Sequence, residues 1–172
     1  MPYQVGDVLV QKGGQPWVFL ANIFTGHPYP HARMISLVTP ERVYTIEDMM
    51  YGVKEYQFND LKNFEVWRPR CSDKIKGNAI RWARTHRDEG YGYLRLLEIC
   101  LGYRLGMRSR PGMDDDVSQD NRRKVCSELV AMAYYRSGFD LVPGVENRDT
   151  MPYELRSPVT CEMISVDELL KA

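Results

Sequence analysis

The chain has 172 residues, enough for one domain with a real hydrophobic core, and 44% of them are hydrophobic and 27% charged, as in an ordinary globular protein. Lys and Arg balance Asp and Glu at 23 each, so no net field draws the chain to nucleic acid or to an anionic membrane. No stretch is apolar for long enough to cross a bilayer, and the opening Met1-Pro2-Tyr3-Gln4-Val5-Gly6-Asp7 lacks the basic-then-apolar pattern of a secretory signal. The expectation is a cytoplasmic protein with no stable membrane insertion, delivered outside, if at all, by another route.

Residues 4–10 alternate and end in β-branched side chains, which predicts a strand before the Gly13-Gly14 turn. The apolar run Trp17 to Ile23 fits a strand or a short helix equally, and Thr25 to Pro30 is a Gly/Pro loop. Strands are predicted at His31–Val38, Val43–Ile46, Val53–Phe58 and Phe64–Arg68, with turns at Pro40 and Gly52. From Ser72 the period changes: Ile75, Ala79, Ile80, Trp82 and Ala83 recur at helical spacing behind a capping serine. Gly90-Tyr91-Gly92-Tyr93 interrupts, and Leu94 to Leu101 predicts a second helix. Residues 106–121 read as an exposed loop, whose Asp114-Asp115-Asp116 run is a solvated tip rather than a cation site because no further ligand pattern accompanies it. Cys126 to Ser137 is the clearest helix, ended by Gly138; residues 145–160 read mostly as loop and Cys161–Val166 as a last strand. Short connections among the early strands predict an antiparallel sheet packed against helices, an α+β fold in one domain spanning residues 1–172.

The four cysteines, Cys71, Cys100, Cys126 and Cys161, include no CxxC pair and no histidine at zinc spacing, so no metal site and no cofactor are expected. Cys126 stands apart because it opens a helix. The positive end of a helix stabilises an anion and lowers a thiol pKa, and the unpaired first-turn amides can donate to an oxyanion beside the sulfur. Arg122, Arg123 and Lys124 precede it. A thiol nucleophile needs a base. Among the three histidines, His86 sits in a polar helix end where a solvated role is expected, His27 lies in the Gly/Pro loop, and His31 opens a strand. A strand holds an imidazole more firmly than a loop, though spacing alone favours His31 over His27 only modestly. Glu47 ends the neighbouring strand, and a hairpin between 31–38 and 43–47 brings it to the strand end carrying His31.

Taken in order, Gly6-Asp7-Val8, Pro30-His31-Ala32, Tyr44-Thr45-Ile46-Glu47 with Gly52-Val53, and Cys126-Ser127-Glu128-Leu129-Val130 resemble the YiiX/YebB-like hydrolases, circularly permuted relatives of NlpC-type peptidases with a papain-like fold. Leu141-Val142-Pro143 and Met151-Pro152-Tyr153-Glu154-Leu155 resemble the family's tail, and Gly90-Tyr91-Gly92-Tyr93 its segment before the nucleophile. The likeness covers residues 4–166. It implies a papain-like antiparallel sheet or partial barrel, with Cys126 as nucleophile, His31 as base and Glu47 as the residue orienting the imidazole. Three departures stand out: Pro30 where serine is common, Gly92 where the family has aspartate, and Asp48 where a small residue is usual, which makes Asp48 a rival for the third role.

The resulting expectation is a cysteine hydrolase that cleaves an amide in a peptide, a cell-wall peptide above all, through an acyl-enzyme. The amide of Cys126 or Ser127 would bind the oxyanion, and Tyr91 and Tyr93 would line the cleft or pack in the core. The alternatives are a lipid acyl hydrolase or acyltransferase, against which the absence of an apolar flank counts, and a non-catalytic protein of a phage-like particle.

Overall fold

The structure, a computed structural model, describes residues 3–13, 26–49, 51–58, 63–87, 89–106 and 124–165. The apolar run Trp17 to Ile23 and nearly all of the predicted 106–121 loop, with its three aspartates, lie outside these residues, as does Val166.

Six strands form one antiparallel sheet in the order β4-β3-β2-β1-β5-β6: β1 Val8–Gln11, β2 Ala32–Val38, β3 Val43–Met49, β4 Gly52–Phe58, β5 Phe64–Pro69 and β6 Cys161–Ile164. Among the described residues three α-helices accompany them: α1 Asp73–Thr85, α2 Tyr93–Arg104 and α3 Cys126–Tyr135. The architecture is therefore α+β, as the strand-then-helix order of the sequence indicates. Side chains alternate across the sheet. Val8, Val10, Ala32, Met34, Ile46 and Val53 face α1 and α3 and bury against Ala79, Ile80, Ala83, Leu129, Val130 and Tyr134. Leu9, Ile35, Val43, Phe64 and Val66 form a second, smaller cluster with Tyr3.

Helix α1 begins where predicted: the Ser72 hydroxyl accepts from the Ile75 amide at 3.4 Å, and Asp73 sits in the positive first turn. Two expectations shift. The first strand starts at Val8 rather than residue 4, because Gln4 to Asp7 form a turn with Val5 and Gly6 at its centre. The Gln4 amide donates to the Asp7 carboxylate at 2.9 Å, and Gly6 has a φ of +89°. That glycine is also a packing requirement: a Cβ there would lie 2.6 Å from Lys76 Cβ and 2.8 Å from Tyr134 Oη, whose hydroxyl donates to the Gly6 carbonyl. Residues 145–160, expected as loop, contain two short 3-10 turns, Asn147–Asp149 and Pro152–Leu155, the second started by its proline.

Candidate active site

Cys126 is the first residue of α3, where the sequence places it. Glu128 folds back on the helix start and its carboxylate accepts from the Val125 amide at 3.3 Å. The amides of Ala32, on β2, and Ser127 both donate to the Cys126 sulfur. Burial pushes this thiol up, but the charge of His31, a hydrogen bond from its ring and the two amides bring it below the ordinary value. The other thiols behave in the opposite way. Burial raises Cys71 despite the charge of Lys76, and burial pushes Cys161 up to about 11. The side chain of Cys100 lies outside the described ones. The sulfur is not as open as a nucleophile in a cleft would be: Cys126 is only 4% exposed. Its surroundings are nonetheless polar: His31 acts on its charge, and Cys126, Glu128, Lys124 and His31 all act on that of Asp48.

His31 precedes β2, and its side chain is 16% exposed. Nε2 hydrogen-bonds the carboxylate of Glu47, and the ring also interacts with the Cys126 side chain. Burial works to lower its pKa, but the Cys126 charge, the bond to Cys126 and the bond and charge of Glu47 raise it to about 9. The two shifts run in the same sense: each group favours the charged form of the other, imidazolium beside thiolate. Glu47 is 2% exposed and holds its second oxygen 3.1 Å from Arg33 Nη1. The Arg33 guanidinium lies 4.9 Å from the Phe58 ring centroid and 4.6 Å from that of Phe64. Two aromatic faces and one carboxylate thus fix the cation, and the cation fixes the carboxylate that meets the imidazole.

The sequence reading missed Arg33. Its signal was an arginine among the inward positions of an apolar strand, two residues from His31 on the same sheet face, and it becomes readable only once Glu47 is known to stand across from it. Asp48, the rival for the third role, has no hydrogen bond to His31: alternation along β3 turns it to the opposite face from Glu47. The Ser127 hydroxyl donates to the Thr150 carbonyl at 2.6 Å and anchors the helix start, while its amide faces the sulfur. Tyr91 packs against Ile99, Val125 and Met151, beside the residue that precedes Cys126. Tyr93 opens α2, and its side chain lies outside the described ones. His27 stacks on Tyr153 at 3.9 Å between ring centroids. His86 is a correction: it is buried at 7% exposure, its ring tilted against Trp82 and its Nδ1 2.9 Å from the Trp82 carbonyl, because the end of α1 turns it inward rather than to solvent. Lys124 is covered too, ion-paired to Glu89 at 3.4 Å and 5.7 Å from the Trp82 ring. A second correction concerns the expected lack of an apolar flank: Leu94, Leu97, Leu101 and Leu105 are exposed along and just beyond α2.

Chemically, a thiol whose ionised form is favoured by an imidazole and two amides has the groups needed to attack a carbonyl and return a proton to a leaving group. Among the described residues, no three His, Cys, Asp or Glu side chains converge as metal ligands, and no helix is long and apolar enough to cross a membrane.

No protein-family model matches the chain, and no curated protein does. Among solved structures, it is similar to the crystal structure of the metalloprotein YiiX from Escherichia coli O157:H7 (DUF1105), at 18% identity and a TM-score of 0.56, over 82% of this chain and 70% of that one. At this identity the likeness is one of fold.

Proposed function

We propose that the protein is a thiol hydrolase of the papain-like, circularly permuted NlpC type, with Cys126 as nucleophile, His31 as base and Glu47 as orienting acid. The observation that carries this reading is the His31 ring set between the Glu47 carboxylate and the Cys126 sulfur. The thiolate attacks a substrate carbonyl, and a first-turn amide of α3 meets the oxyanion. The His31 imidazolium protonates the leaving amine, and water, deprotonated by His31, then releases the acyl group from sulfur. The bond cleaved is an amide of a peptide, with a cell-wall peptide as the first substrate to try.

The test is incubation with peptide libraries that include cell-wall stem peptides, followed by mass spectrometry of the protein. An acyl adduct on Cys126, absent from Cys126→Ser and His31→Ala, supports the reading. A Cys126 thiol that alkylates no faster than a free cysteine at pH about 6, where a free thiol of pKa about 8.5 is almost wholly protonated, would refute it. The leucine flank of α2 favours a second substrate class, long-chain acyl esters, and cleavage of these in preference to peptides would select it.

A further inference from the structure

One acid beside this site has no part in the chemistry above. Asp48 is 1% exposed, and neither carboxylate oxygen has a hydrogen-bond partner among the described residues. Its place follows from the sheet. Continuing the β2–β3 register from Met34↔Ile46 sets Asp48 level with Ala32, whose amide donates to the Cys126 sulfur. Asp48 shares the helix-facing side of β3 with Ile46, whereas Glu47, level with Lys54 of β4, is on the other. The charged groups that act on it are Cys126 and Glu128 of α3, Lys124 just before α3, and His31 before β2. Next to its β4 partner Val53 runs the chain after α1, where Glu89 binds the Lys124 ammonium and Arg87 binds Glu55.

An ionised carboxylate buried without hydrogen bonds is too costly to persist, and such a group keeps its proton instead. A thiolate and a second carboxylate as neighbours act in the same direction. Burial first, then the charges of Cys126 and Glu128, outweigh Lys124 and His31 and raise this carboxyl from 3.8 to about 8.

Resting on the thiolate–imidazolium reading above, we propose that Asp48 is a positioning residue of the site, a neutral carboxylic acid behind Cys126 that decides whether a negatively charged group is admitted beside the sulfur. With its proton in place, Asp48 adds no charge to the thiolate–imidazolium pair, and a substrate with a carboxylate near the scissile bond meets one negative charge fewer. Without it, the site carries an extra negative charge and excludes such a substrate. The preferred substrates below about pH 8 then include acidic acyl groups and acidic peptides.

The experiment alkylates Cys126 with neutral iodoacetamide and anionic iodoacetate from about pH 6 to 8.5 in the wild type and Asp48→Asn. In the wild type the ratio of iodoacetate to iodoacetamide rates falls about tenfold over this range, the effect of one nearby charge at partial screening. In Asp48→Asn the ratio stays level. A level ratio in the wild type, or an equal fall in the variant, overturns the proposal. The iodoacetamide rate at low pH reports the thiolate itself, so a slow rate in both proteins defeats the hydrolase reading separately. A carbon-13 titration of aspartate carboxyls in the wild type tests Asp48 without any variant: one midpoint near 8 supports the proposal, and every midpoint below about 5 overturns it.

Discussion

Replacing Asp48 by asparagine removes a titration that works against the folded state. The carboxyl is raised from 3.8 to about 8 in the fold, so the native protein holds a proton that the unfolded chain releases. The stabilisation tied to that proton is complete below 3.8 and is lost as pH rises through about 8. The loss runs at about 1.4 kcal/mol per pH unit, so about 4 kcal/mol has gone by pH 7. Asparagine has the same shape and no titration. Urea unfolding of both proteins at several values between about pH 5 and 8 isolates the effect, because every other titrating group contributes to both. The variant gains on the wild type by about 1.4 kcal/mol per pH unit, whatever constant offset its amide introduces. A difference that does not change with pH would refute the reasoning, since it would mean that Asp48 ionises as easily in the fold as in water.

The imidazole offers a second titration. His31 is raised from 6.5 to about 9, so its contribution to stability is fully present below 6.5 and lost as pH rises through about 9. In Cys126→Ala the thiolate is gone, and the His31 midpoint, followed by NMR of the ring protons, drops toward its ordinary value. Glu47→Gln keeps an acceptor for Nε2 but removes a charge, and slows iodoacetamide alkylation of Cys126 at pH about 6 by about tenfold. Arg33→Met leaves Glu47 buried with half its support, which lowers stability by about 3 kcal/mol in urea unfolding and slows the same alkylation. Gly6→Ala places a methyl group inside Lys76 and Tyr134 at a positive φ and costs about 2–4 kcal/mol, read from the shift in the urea midpoint.

Much of the frame is legible in the sequence because local signals and burial agree. The stripe Ile75, Ala79, Ile80, Ala83 behind Ser72 produces α1, and the alternating runs give β2 to β5 close to their observed bounds. The placement of Cys126 at a helix start is legible because it is a short-range property, and the meeting of His31 with Glu47 because a hairpin fixes which residues of β2 and β3 come level. What sequence leaves open is which face of a strand the helices cover. Glu47 and Asp48 are neighbours with the same chemistry, and only the packing of α3 on the Ile46 side decides that one meets the imidazole and the other the helix. Arg33 and His86 are hidden for a related reason: each reads as a surface residue until the aromatic groups that enclose it, Phe58 and Phe64 for one and Trp82 for the other, are folded around it.

The bond from the Tyr134 hydroxyl to the Gly6 carbonyl joins residues 128 positions apart. It clamps the helix that carries the sulfur to the turn before β1, and the thiol's neighbours on β2 likewise come from the front of the chain. During synthesis the front half emerges with its histidine and glutamate while Cys126 is still unmade. Contacts of such long range form slowly. On the proposed hydrolase reading the sulfur reacts as an ordinary cysteine until they do, and the onset of its alkylation at low pH is a clock for the completion of folding.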